Sequence, residues 1–313
     1  MKTMEHRYLE IMPSGTPGLV ELVLRSLLIC CVYAAFQNEA CVVAADQVFT
    51  SEETLFGEIE SVSTEVVRFV PRGSTNAIRE IGVTDVVMIQ YSDEPKYLIE
   101  AKKRLIKNDF GGAFEAIKKV SEDEIQSASV AVRSEYAYVR AVAAGHVAVD
   151  TTEGLSQALT YIEEVLDQFT RSIHYYDLLE AAGDLEGALG RYDKAAALYK
   201  KISRGPPPMV VRAERLQGNV LAAEGRHIEA IAEFENVQSV DLEGSFIEQE
   251  KMMACLGQAE SLISLSRFDE AVSLIGSMLA ETYPEGVPVT ATNILLGKAY
   301  SLLGQSLLET KED

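Results

Sequence analysis

The chain has 313 residues, with 28 Lys and Arg against 48 Asp and Glu, giving a formal net charge of −20. Such an acidic balance argues against nucleic acid as a partner, because affinity there comes largely from Lys and Arg neutralising phosphates. It leaves proteins and peptides as the expected partner class.

The first 45 residues read as an address. Lys2, Arg7 and Arg25 precede an apolar core from Leu27 to Phe36, and Val43-Ala44-Ala45 supplies small residues where a signal peptidase reads. The core is shorter than the roughly 20 residues a membrane span needs. Cleavage after Ala45 is therefore expected, with export to a periplasmic or envelope location. Glu5, Glu10, Glu21 and Glu39 dilute the pattern and keep an uncleaved N-terminal anchor open, which would be the chain's one contact with a membrane. Cys41 follows Asn38-Glu39-Ala40, which lacks the pattern of a lipoprotein site. Since Cys30, Cys31 and Cys41 all fall in the leader, the mature chain keeps Cys255 alone, at a large-residue place in a helix. No internal disulfide is possible, and a buried small hydrophobe is the reading for that thiol.

Residues 46–92 change to a period of two. Thr54-Leu-Phe-Gly-Glu-Ile-Glu-Ser, Glu65-Val-Val-Arg-Phe-Val, Ala77-Ile-Arg-Glu-Ile and Asp85-Val-Val-Met-Ile-Gln-Tyr alternate apolar with polar and are separated by turn signals such as Pro71-Arg-Gly-Ser. Four or five short strands in so few residues predict a small, bent antiparallel sheet or barrel. The strand with a central Gly57, followed by Ile59-Glu60-Ser61 and two hydrophobic strands, resembles the Sm-like and SH3-like small barrels. An Sm-like barrel raises the question of RNA or of a hidden activity in this module; the acidic balance and the expected export count against RNA. Tyr91-Ser-Asp-Glu-Pro leaves almost no linker, so the module is expected to pack on the helices that follow.

From residue 93 to 313 the period is helical and repeats. Tyr97, Ala101, Phe110, Ala113 and Ile117 mark a first unit from Pro95 to Val120, in which Lys102-Lys103-Arg104 reads as a solvated helix face. A second, irregular unit follows, with helices from Ser134 to Val147 and from Leu155 to Phe169 and a long connection through Asp150-Thr-Thr-Glu-Gly. Three clear copies come next: Leu179, Gly183, Gly190, Tyr192, Ala195 and Tyr199; then Gly218, Gly225, His227, Ala230 and Phe234; then Cys255, Ala259, Phe268, Ala271 and Ile275. Their second-helix alanines recur roughly 35 to 41 residues apart, the spacing of stacked helix pairs. Gly190, Gly225 and Ser266 are placed to end the first helix of each pair. Gly297, Tyr300 and Gly304 begin a last unit that reads as a capping helix.

These positions resemble the tetratricopeptide repeat, most closely in Leu-x3-Gly-x6-Gly-x-Tyr-x2-Ala-x3-Tyr from Leu179 to Tyr199. The resemblance implies a mainly α fold: a right-handed α-solenoid of helix hairpins, here preceded by the antiparallel β module. It also implies a groove lined by first helices, in which a protein or peptide partner is held. On the repeat template Arg212, Arg215 and Asn219 face that groove, together with Glu180, Asp184, Glu260 and Lys298. In peptide-binding members a basic residue and an asparagine at the Arg215 and Asn219 places grip a terminal carboxylate. The next repeat has Gly257 where the family places asparagine, and solvated residues paired to neighbours such as Glu214 are the other reading of the set.

No catalytic constellation stands out. His146, His174 and His227 are far apart in sequence, and His227 takes the place of a packing aromatic. His174-Tyr175-Tyr176-Asp177 gathers polar groups, but a helix turns neighbours to different faces. No phosphate loop, positioned nucleophile or metal motif is visible. The expectation is a non-catalytic scaffold with no cofactor or metal, acting in assembly of an envelope complex, with a homo-oligomer possible; a tethered or cytoplasmic assembly factor is the alternative.

Overall fold

The computed structural model describes residues 45–74, 77–147, 152–280 and 289–309. The expected leader, and Cys30, Cys31 and Cys41 with it, lies outside the described residues. Among the described residues five strands come first: β1 (Asp46–Thr50), β2 (Thr54–Val62), β3 (Val66–Pro71), β4 (Arg79–Gly82) and β5 (Val86–Gln90), with a 3₁₀ turn at Val83–Asp85. They form one antiparallel sheet in the order β4-β3-β2-β1-β5. β1 is the strand the alternation did not single out. It is short and begins one residue after the end of the expected leader, yet it is what joins β5 to the rest of the sheet. A bulge between Ile59 and Ser61 bends β2. Two residues earlier the backbone at Gly57 passes so close to β3 that a Cβ there would fall 2.8 Å from the Phe69 ring.

Twelve helices follow among the described residues. α1 (Lys96–Leu105) and α2 (Phe110–Ile117) are the first hairpin, and a short α3 (Glu122–Ser127) is interposed before α4 (Val130–Val147) and α5 (Thr152–Gln168). The remaining pairs are α6 (Tyr175–Ala188) with α7 (Tyr192–Ile202), α8 (Pro207–Ala223) with α9 (His227–Gln238), and α10 (Ser245–Ser264) with α11 (Phe268–Ala280), before a last α12 (Val289–Glu309). Among the described residues no helix is long and apolar enough to cross a membrane. The helix α3 was missed in the sequence although it carries a complete capping box, Ser121 to Glu124.

The predicted turn chemistry is present in three successive hairpins. Gly190, Gly225 and Ser266 all adopt left-handed φ, at 73°, 77° and 57°. In each case the next amide reaches back five residues, as in Arg191 N–H to Glu186 O, Arg226 N–H to Leu221 O and Arg267 N–H to Leu262 O, closing the same C-terminal motif. The small-against-large packing is equally regular. A Cβ on Gly183 would lie 2.6 Å from Cζ of Tyr199. Phe234 is fully buried between two bare backbones, since a Cβ on Gly218 of α8 or on Gly257 of α10 would come within 2.7 or 2.5 Å of its ring. Gly257 is therefore a packing position. The last helix is less polar outside than a cap is expected to be, because Tyr300 and Leu308 are 63% and 69% exposed.

The β sheet and the first helices share one core. Val48, Val67, Phe69, Ile81 and Ile89 pack with Leu98, Ala101, Ile117, Val132, Val139 and Ile173, so the apolar interior is continuous across residues 92 and 93. The sheet also leans along the side of the stack formed by first helices, where the Val83–Asp85 turn touches α10.

Because Phe234 has no room to give, Gly218→Leu is expected to destabilise the protein by about 1–3 kcal/mol. Urea unfolding followed by circular dichroism measures it. A variant as stable as the parent would show that the α8–α9 packing is not as described.

Candidate functional site

Nine ionisable side chains on β5's flank and on α1, α4, α6, α8 and α10 form one connected row. Glu94 and Lys102 are almost wholly buried and lie 2.9 Å apart, while the Glu94 carboxylate also accepts the Tyr91 N–H. Lys102 also donates to the Ile89 carbonyl of β5 and reaches Glu135 of α4 at 2.8 Å. The other oxygen of Glu135 meets His174 Nε2 at 3.0 Å, and His174 Nδ1 meets Asp177 at 3.4 Å. The imidazole lies flat on Tyr138, with ring centroids 3.6 Å apart. Asp177 then pairs with Arg212 of α8 at 2.7 Å. Arg212 also holds Glu180, Glu180 holds Arg215 at 3.0 Å, and Arg215 ends on Glu250 of α10.

The order of signs explains the protonation behaviour. Burial works against every charge in the row, so a group's state depends on how many opposite charges face it. Glu135 sits between Lys102 and His174, which outweigh its burial and hold it down to about 2. Asp177 between Arg212 and His174, and Glu180 between Arg212 and Arg215, are likewise lowered. At the two ends burial prevails: Glu94 and Glu250 are raised above the usual carboxylate range. His174 is opposed by burial, yet Glu135 and the bonds to both carboxylates raise it to about 9.

Chemically, the row is a clamp. A doubly held imidazolium has no lone pair to accept a proton, and a Lys102 shared by two carboxylates and a carbonyl is no nucleophile. Among the described residues no group of three or more His, Cys, Asp or Glu is arranged to hold a metal. Three of the expected groove residues, Glu180, Arg212 and Arg215, are thus brought together, but they face one another and are not open to a peptide carboxylate. The other four are dispersed. Asp184 accepts the Tyr199 hydroxyl at 2.7 Å, Glu260 of α10 and Lys298 of α12 pair at 2.9 Å, and Asn219 is exposed. Part of the inner side is taken by the chain itself, since Val83, Val86 and Met88 face Glu135, His174 and Asp177 across a cavity of about 180 Å³.

The sequence reading missed six members. Lys102 was assigned to a solvated face and is buried, whereas Lys103 is exposed and Arg104 pairs with Glu100 and Asp109. His174 and Asp177 do meet, because His174 is the N-cap residue and its ring folds back along the first turn. A signal was available: Asp177 and Arg212, Glu180 and Arg215, and Arg215 and Glu250 are each 35 residues apart, so charge alternates in sign at the repeat period. Of the remaining histidines, His146 stacks on Phe110, and Cys255 is buried as expected.

Two outcomes follow. Arg215→Met leaves Glu180 and Glu250 underpaired and is expected to cost about 3–5 kcal/mol in urea unfolding, with much of the loss recovered when Glu250→Leu is added. The second outcome concerns pH: His174 carries a folded value raised above its ordinary 6.5, so its contribution is complete below pH 6.5 and is lost as pH rises through about 9. Over that window the parent should lose roughly 2–4 kcal/mol more than His174→Gln. Parallel pH profiles would refute the assignment.

No family model matches the chain, and no curated protein matches it. Solved structures similar to it include a tetratricopeptide repeat protein from Parabacteroides merdae, at 15% identity over 69% of this chain and 90% of that one, with a TM-score of 0.36. Another is MamA AMB-1, at 14% identity over 58% of this chain and 95% of that one, with a TM-score of 0.38. A third is the apo form of the quorum sensor NprR from B. thuringiensis, at 12% identity over 69% of this chain and 64% of that one, with a TM-score of 0.43. By its own helix pairing and small-against-large packing, the chain is an α-solenoid of tetratricopeptide-like hairpins joined to a five-stranded antiparallel sheet.

Proposed function

We propose that the protein is an exported, non-catalytic scaffold that holds a protein or peptide partner during assembly of an envelope complex. The observation that carries this reading is the spending of Lys102, His174, Arg212 and Arg215 on helix-to-helix pairing. The groups best suited to chemistry are used to fix a frame, and what the frame offers outward is shape and surface. Export is supported by the start of the compact unit at Ala45. The residue expected to become the new N-terminus, Asp46, is already fixed, its carboxylate accepting the amides of Ser92 at 2.8 Å and Ile59 at 3.1 Å.

The test is affinity capture of the native protein from fractionated cells, with mass spectrometry of both its partners and its own N-terminus. The expected result is a chain beginning at Asp46 in the exported fraction with a defined protein partner. An intact Met1 in the membrane fraction would replace export by anchoring, and capture without any partner would overturn the scaffold.

A further inference from the structure

We propose that a cleft on the other side of α4 from the charge row is a docking site for a partner segment carrying an apolar side chain beside a carboxylate. This deepens the scaffold reading, on which it rests, by naming a face and a chemistry for the partner. The cleft lies at the irregular part of the repeat array, where α3 is interposed between the first two hairpins. Tyr136 and Arg140 of α4, one turn apart, form its floor, with Phe114 and Ile125 on one wall and Tyr161 on the other. It encloses about 730 Å³ and continues past the same Tyr136, Arg140 and Tyr161 into a further 300 Å³ that reaches Phe169.

Charge selects the occupant. Arg104, Arg191, Arg212, Arg215, Arg226 and Arg267 each hold a carboxylate. Arg140 is exposed and holds none among the described residues, although the chain carries 48 acidic side chains. Its guanidinium lies over the Tyr161 ring, 5.1 Å from the centroid, which orients the planar fork and leaves its N–H edge free to donate. Arg133, on the wall of the extension, donates to the Ala128 carbonyl at 3.3 Å and adds a second cation, with the carboxylates of Glu122 and Glu164 also on the lining. Oriented arginines set among tyrosines are the composition that dominates binding energy at protein interfaces, and a carboxylate is the group a guanidinium fork fits in two bonds. A polyphosphate chain would suit the same fork but would leave the apolar lining of Phe114, Ile117 and Ile125 without a partner.

The test uses fluorescein-labelled synthetic peptides with Leu, Phe or Tyr at alternate positions, in one set with Asp or Glu between them and in the other with Lys or Arg. Anisotropy is read against the full chain, Arg140→Glu and Arg140→Gln, with thermal melts confirming that the variants fold. The acidic set is expected to bind at least about tenfold more tightly than the basic set, less tightly at high salt, and to lose about tenfold or more on Arg140→Glu. Equal binding of the two sets, binding of neither, or binding unchanged in Arg140→Glu would overturn the proposal. A self-association of the chain in sedimentation that Arg140→Glu abolishes would also overturn it, in favour of a second copy as occupant. If a captured cellular partner binds Arg140→Glu as well as the parent, the scaffold reading stands and this face is removed from it.

Discussion

From Glu94 to Glu250, each buried charge is held by an opposite one, most often on the neighbouring element, and the rest of the architecture is arranged around that condition. Taking an ion out of water costs several kcal/mol even when it is paired, so the row does little for net stability compared with well-packed leucines. Its effect is on alternatives. If one helix slides by a turn along its neighbour, carboxylates lose their cations inside a low-dielectric interior, and that state is heavily penalised. Hydrophobic packing makes the stack stable, and the charge row makes its register unique.

The sheet takes part in the same arrangement. Lys102 bonds the carbonyl of Ile89, so the row begins on a strand, and the core of β1, β3 and β5 merges with that of α1 and α4. A five-stranded sheet of this size has little interior of its own. It gains one by covering the first hairpin, and in return it closes the end of the stack and part of the inner face. The position at which tetratricopeptide-like proteins are expected to receive a peptide is thereby shared with a segment of the same chain.

How much of this was legible in the sequence differs by layer. The hairpins from Leu179 onward were readable because glycine, alanine and an aromatic recur at fixed offsets, and each offset has a local steric cause. Strands β2 to β5 were readable from alternation, whereas β1 is too short and too close to the apolar run Leu27 to Phe36 to stand apart. The site was the hardest. A buried lysine and an exposed one look the same in sequence, as Lys102 and Lys103 show, because burial is decided by a glutamate on a distant helix. The members that could have been found are those related by the 35-residue step, where opposite signs fall at one repeat position. Glu135 and Lys102 lie on either side of α3, which breaks the step, and there the pattern is lost.

Alternation along the stack has a further meaning for how such an array can change. In an ordinary solenoid a hairpin can be gained or lost and its neighbours simply close up, since each interface is much like the next. Here the interfaces carry parity. Removing the α8–α9 hairpin alone would bring Glu180 opposite Glu250, two carboxylates where there had been a carboxylate and a cation. Duplicating that hairpin alone would set arginine against arginine. The copy number is thus locked by electrostatics, and an array built on this rule can lengthen or shorten only two hairpins at a time.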